Sequence, residues 1–514
     1  MSRRTKALTA GVATAALALT GVGVGVANAA TDPAPLAFTL ATPNVTAERY
    51  TWDGQAYLYL DLGVHVIAGK DPFEIRATRK SYADPIVAKQ IIGKKSVTLP
   101  AGMVTGWGGL KDFTTVSLKD GSGAEVKTYT TDFCPNSYDS VRTRRDAPAE
   151  TPYPQGCSGE NPFNLGAVWG IQAGWNATTD SMPRSDDFDL PAGKYTATVT
   201  LNQKYRDYFK ISAADATQTI NLTVVDVAED EKGATVAAAQ VKAAKLGADP
   251  DPQVAVAEHG EHGGQGIAYQ PSLRPPAKAP KAVKATSLAK GPRPDLRSLP
   301  AWGISLSQDG DKSYVNFGAT VWNAGTSPLL VDGFRRTGTE LMDAYQYFFD
   351  AKGNQVGSSE AGTMEWDPRE GHRHWHFTDF AQYNLLAADK KLAVRSGKEA
   401  FCLANTDAVD YTIADAKWRP DNTDLSTSCG QNTAVAVREV LDIGNGDTYS
   451  QARPGQSFEV TDLPNGTYYI EVKANPANKL TELSTTNNTA LREIHLGGTP
   501  TERTLEVPSV NGLD

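Results

Sequence analysis

Apolar and polar positions alternate with a period of two along much of this chain. Tyr195-Thr196-Ala197-Thr198-Val199-Thr200 alternates throughout, Tyr57-Leu58-Tyr59-Leu60-Asp61-Leu62 is strand-like, and Tyr314-Val315-Asn316-Phe317-Gly318-Ala319-Thr320-Val321-Trp322 alternates partway. A period of two places successive side chains on opposite faces of a strand. Turn signals such as Asp120-Gly121 and Ala192-Gly193 separate the runs. Nothing between residues 35 and 228 carries the period of a long amphipathic helix. The pattern predicts an all-β chain, with strands from about 35 to 228 and again from about 292 to 500. Asp189-Leu190-Pro191-Ala192-Gly193-Lys194-Tyr195 is echoed by Asp462-Leu463-Pro464-Asn465-Gly466-Thr467-Tyr468, each a turn feeding a strand. The echo predicts two β-sandwich-like domains, and no short period suggests a solenoid.

Between them the composition changes. Ala234 to Lys245 is Ala-rich and reads as a short helix; Asp249-Pro250-Asp251-Pro252, Gly260 to Gly266 and Pro275-Pro276-Ala277-Lys278-Ala279-Pro280-Lys281 follow. Residues 229–291 therefore read as a flexible Pro/Ala/Lys-rich linker. Lys278, Lys281, Lys284 and Lys290 make it basic, which suits a solvated tether or attachment to an acidic surface such as a cell-wall polymer. His259 and His262 in its Gly-rich stretch can chelate metal only adventitiously.

The first residues read as an export signal. Arg3, Arg4 and Lys6 precede an apolar stretch from Ala7 to Val26, and Ala27-Asn28-Ala29 offers a cleavage site. Glycines break the apolar stretch, which argues against a membrane anchor, and the aromatic residue that usually follows a twin-arginine pair is missing. The expected order is a signal peptide at 1–29, an N-terminal β domain of unknown role at 30–228, the linker at 229–291, a second domain at 292–500 and a C-terminal tail at 501–514, with the product released outside the cell. At 514 residues a single small module is excluded. The net charge of −9 becomes about −12 once Arg3, Arg4 and Lys6 are removed, which gives no footprint for nucleic acid. A mean hydropathy of −0.38, with no long apolar run beyond the signal, excludes an integral membrane bundle. The four cysteines fall as two local pairs, and an exported chain reads them as disulfides, Cys134–Cys157 and Cys402–Cys429, among three available connectivities.

The densest chemistry is Gly371-His372-Arg373-His374-Trp375-His376-Phe377. Alternation puts all three imidazoles on one strand face. Neighbours on that face are about 6.6 Å apart, so two can share a metal, whereas the outer pair, about 13 Å apart, needs a bend or bulge. Three imidazoles suit copper, zinc or iron: zinc for hydrolysis, copper for O₂ chemistry. Spacing leaves that choice open. His65 reads as a packed or surface residue.

These residues resemble a family. Met364-Glu365-Trp366, His372-Arg373-His374-Trp375-His376, Asp379-Phe380 and Tyr383-Asn384-Leu385-Leu386 are similar to the copper-binding signature of the lysyl oxidases. Pro294-Asp295-Leu296, Asn323-Ala324-Gly325-Thr326-Ser327, Lys398-Glu399-Ala400-Phe401-Cys402-Leu403, Gly446-Asp447-Thr448-Tyr449 and Thr486-Asn487-Asn488 extend the resemblance over about 292–497. It implies a copper amine oxidase with a lysine tyrosylquinone made from its own side chains. His372, His374 and His376 are the implied copper ligands, Lys398 and Tyr449 the implied cofactor residues. Its substrates would be lysine or peptidyl-lysine and O₂, with an aldehyde, ammonia and H₂O₂ released. Asp447, two residues from Tyr449 and so on its strand face, is a candidate base. Asp295, Glu482, Asn487 and Asn488 resemble a calcium site of some animal members, and all offer the oxygens calcium takes; Ser484 stands where an aspartate is expected. The chain has fewer cysteines than the animal members and carries Asp367-Pro368-Arg369 where they have another histidine and a cysteine, departures expected to leave the ligands untouched. Two other readings stand beside the enzyme: a non-enzymatic metal-binding cell-surface β-sandwich protein, and a three-histidine zinc hydrolase. Neither requires both Lys398 and Tyr449.

Overall fold

A computed structural model describes residues 36–52, 55–157, 161–180, 182, 188–227, 291–369, 373–396, 400–420, 429–451 and 457–513. The signal segment, the linker with its lysines and histidines, and the site residues His372 and Lys398 lie outside the described residues.

The described chain is nearly all β, with one short helix at Gln203–Phe209. Alternation sets the strands. In Phe73–Thr78, Phe73, Ile75 and Ala77 are buried while Glu74, Arg76 and Thr78 are not. The Gly193–Leu201 and Lys312–Asn323 strands contain the alternating runs seen in the sequence. The Tyr57–Leu62 run is strand only to Leu58. Leu58, Leu60 and Leu62 all enter the core, but Gly63 turns the chain at φ 66° before the run can pair further. The two echoed turns end alike: Tyr195 donates its hydroxyl to the Pro191 carbonyl, and Tyr468 to that of Pro464, each at 2.7 Å. Each tyrosine locks the turn from which its nine-residue strand starts.

The first half has sheets of three, four and six strands around one apolar core. The second half has sheets of six, six and five around another. Two of its sheets position the candidate site. One runs Ala400–Phe401, His374–Thr378, Gln355–Asp367, Leu341–Phe349, Leu329–Arg335, Ala436–Leu441; the other centres on Lys312–Asn323 paired with Asn445–Gln451, which in turn pairs with Asp407–Ala408. The segment expected as a tail holds a strand, Glu502–Glu506, because its alternating side chains extend the edge formed by Thr489–Thr499. Both disulfides form as the local pairs Cys134–Cys157 and Cys402–Cys429.

The halves also pack on each other, which the alternation pattern does not reveal. Phe163 of the first half is buried with Leu299, Trp322 and Val409 of the second. Tyr153 stacks on Trp418, with ring centroids 6.2 Å apart. Leu165 and Gly166 both donate N–H to the Val409 carbonyl, and Tyr411 returns one to Gly166. Gly166 is required here, since a Cβ would stand 2.1 Å from Asp410 Oδ1.

Candidate metal and tyrosine site

On the histidine strand, His374–Thr378, Trp375 and Phe377 point into the core, and His374 and His376 share the other face. Both imidazoles are buried, with centroids 4.7 Å apart at 61°, so two nitrogen donors stand side by side as the alternation requires. Just before the strand, Arg373 takes φ 38°, a left-handed residue that bends the chain between His374 and the segment carrying His372.

Asp367, on the neighbouring strand, corrects one expectation: it lies against a candidate ligand. Its Oδ2 lies 3.5 Å from His376 Nδ1. Arg369 grips the same carboxylate through its backbone N–H at 3.0 Å and its guanidinium. Burial pushes this carboxyl up, but the Arg369 hydrogen bonds and the nearby imidazole outweigh it and hold it well below the usual range. A carboxylate at Nδ1 turns Nε2 toward a metal and fixes the ring.

Tyr449 sits on the Asn445–Gln451 strand opposite Ala319. Its hydroxyl donates to the Cys402 carbonyl at 2.6 Å and its ring meets Phe401 edge-on, centroids 4.9 Å apart. Phe401 in turn pairs with Phe377 of the histidine strand. The short Ala400–Phe401 strand thus lies against both elements, and Lys398 precedes it by two residues in sequence. Burial, then the charges of Asp447 and Glu439, push the Tyr449 phenol well above its ordinary value. Asp447 is buried close enough to raise Tyr449, Tyr383 and Glu439 together.

Two supports carry no role in the sequence reading. Glu439 is fully buried and accepts N–H groups from Leu403, at 2.8 Å, and from Phe377, tying the Tyr449 support to the histidine strand. Burial raises its carboxyl far above 4.5. One acid inside the otherwise apolar Ala436–Leu441 run was its only signal, apart from Arg438, which pairs with Asp332. The Cys402–Cys429 bridge is the second, because Trp375 of the histidine strand donates its backbone N–H to the Cys429 carbonyl at 3.0 Å.

The four oxygen-bearing residues of the implied calcium site also converge. Asn487 Nδ2 donates to both oxygens of Asp295 at 3.2 and 3.1 Å, and Asn488 Nδ2 to Glu482 Oε1 at 2.8 Å. The amide oxygens of Asn487 and Asn488 are buried and accept no hydrogen bond, which leaves two carbonyl donors beside two carboxylates. Arg297 already pairs with Asp295 at 2.8 Å, and Ser484 turns to Thr486 instead. Among the described residues no three His, Cys, Asp or Glu side chains form a metal-holding group.

Residues 345–504 match the family model for lysyl oxidase. Human protein-lysine 6-oxidase (Homo sapiens) is 30% identical over 135 residues, 26% of this chain and 28% of that protein. The Sus scrofa protein-lysine 6-oxidase is also 30% identical over 135 residues, 26% of this chain and 48% of that protein. Lysyl oxidase homolog 4 of Mus musculus is 27% identical over 130 residues, 25% of this chain and 15% of its own length. The chain spans less than half the length of each of these relatives. The matched stretch contains the histidine strand and Tyr449, and the second half of this chain resembles the lysyl oxidase family.

Proposed function

We propose that the chain is a secreted, copper-dependent amine oxidase acting on the primary amine of lysine or peptidyl-lysine. The observation that carries this reading is the placement of Ala400–Phe401: it pairs with the histidine strand, and the next residue, Cys402, accepts the Tyr449 hydroxyl. His374 and His376, with His372, would hold copper, and nitrogen donors of this kind suit it. The chemistry such a centre supplies when loaded is oxidative deamination, in which R–CH₂–NH₂, O₂ and H₂O become an aldehyde, NH₃ and H₂O₂ at a quinone built from Tyr449 and Lys398.

The chain's own residues prepare that chemistry. Asp367 and Arg369 fix the His376 ring. Cys402 and Phe401 fix the Tyr449 ring in position and tilt. Asp447, on the Tyr449 face, is the group assigned to take the proton from the substrate carbon. The Asp295, Glu482, Asn487 and Asn488 cluster is assigned to calcium, with two carboxylates and two amide oxygens as ligands.

The test is peroxide release by copper-loaded protein given a lysine-containing peptide in air. Equal amounts of aldehyde and peroxide are expected, with Tyr449→Phe falling to background while still binding copper. A Tyr449→Phe variant as active as the parent protein would refute the reading.

A further inference from the structure

The first half of the chain meets the tyrosine strand from behind. Along Asn445–Gln451, Asp447 and Tyr449 point one way and Thr448 points the other. Thr448 is the register partner of Thr320, and their hydroxyls lie 2.6 Å apart. Thr320 Oγ1 also receives Asn161 Nδ2 from the first half at 3.0 Å and Trp302 Nε1 at 3.3 Å. A hydroxyl has two acceptor positions and one proton. With two N–H donors on Thr320, its proton goes to Thr448, whose own hydroxyl bonds to the Asp407 carboxylate. The chain of bonds therefore runs one way, from Asn161 through Thr320 and Thr448 to Asp407.

Asn161 is itself held. It is buried, and its Oδ1 accepts the Phe163 N–H at 2.9 Å, which fixes the amide with Nδ2 toward Thr320. Phe163 is buried against Trp322 and Val409. Trp322 pairs with Gly446 of the tyrosine strand, where a Cβ would stand 2.8 Å from Val409 and 2.9 Å from Thr320. The back of the strand is closed by atoms that the first half holds in place.

We propose that the N-terminal β half is a built-in clamp on the tyrosine strand. Asn161 and Phe163 are its positioning residues, and they hold Asn445–Gln451 so that Tyr449 and Asp447 face the Ala400–Leu403 segment. The consequence for chemistry rests on the reading of Tyr449 given above; the clamp itself is a property of the strand. Misplacing a reacting group by about 1 Å can cost about 100-fold in rate, so the clamp matters most for joining Tyr449 to Lys398.

The experiment uses the full chain and peptide-resolved hydrogen exchange, together with the fraction of Lys398–Tyr449 cross-link formed after copper loading in air. Asn161→Ala removes both amide contacts. Asn161→Asp keeps the acceptor for Phe163 and loses the donor to Thr320. In both, exchange across Asn445–Gln451 and Asp407–Ala408 should be about tenfold faster. The Gly466–Ala474 and Thr489–Thr499 strands should exchange as before, and the cross-link should form more slowly. Unchanged exchange in the tyrosine strand would overturn the proposal, and so would an equal rise throughout the chain, which marks a merely global effect. If Asn161→Ala does not fold, Asn161→Asp and Gly166→Ala, whose added Cβ wedges the contact at Asp410, give the same two outcomes. A parent protein that never cross-links refutes the Tyr449 reading and leaves exchange alone to decide the clamp.

Discussion

At the scale of single residues, the site depends on groups that orient others. Asp367 is one: its carboxylate lies beside His376 Nδ1, is held by Arg369, and fixes the ring of this candidate ligand. Asp367→Asn is expected to weaken copper binding about 10- to 100-fold in a competition titration against a chelator of known affinity. Unchanged affinity would remove Asp367 from the site. Asp410 makes a second prediction, about pH. Burial pushes its carboxyl up, and hydrogen bonds from Thr412 offset this only in part. A carboxyl raised in the folded state favours folding most below its unfolded value, about 3.9, and that contribution is lost as pH rises through the folded value. Asp410→Asn should therefore gain stability relative to the parent protein as pH climbs from about 4 to neutral. Parallel stability curves would contradict this. The histidines were legible in the sequence because their period of two is a strand's own signal. Tyr449 and Lys398 are singled out only by the resemblance, since neither spacing nor composition sets them apart, and Lys398 lies outside the described residues. Asp367 was misjudged because its contact with His376 crosses between strands.

At the scale of elements, the short Ala400–Phe401 strand connects the histidine strand to Tyr449, and the Cys402–Cys429 bridge ties its end to the segment alongside Trp375. Closing a loop across a sequence separation of 27 contributes about 3.5 kcal/mol by chain entropy. Replacing both cysteines by serine should lower unfolding free energy by about that amount in denaturant titrations. A loss of well under 1 kcal/mol would mean that packing alone holds the segment. Here the sequence was informative, because two local cysteine pairs in a chain whose first residues read as an export signal predicted both bridges. The paired turns at Pro191 and Pro464 were equally readable, since the same residues recur before each strand and each tyrosine closes its turn in the same way. Strand ends were less so: Tyr59 to Leu62 keeps its burial alternation although the strand ladder stops at Leu58.

At the scale of the whole molecule, the described residues of the two halves belong to one unit, and on the first half the contact falls on Asn161 and Phe163, which no periodic signal marks. Asn161 and Phe163 lie in a loop-rich region, and their partners Thr320, Trp322 and Val409 are more than 150 positions away in sequence. Such contacts depend on topology, which local pattern does not encode. The same dependence makes the central claim testable. Lys398 and Tyr449 lie 51 positions apart in the chain, and only the folded protein can join them. The decisive measurement is peptide mass spectrometry of the copper-loaded protein matured in air. The account predicts a covalent Lys398–Tyr449 peptide pair that disappears in Tyr449→Phe. Unmodified Lys398 and Tyr449 peptides after verified copper loading and oxygen exposure would contradict it.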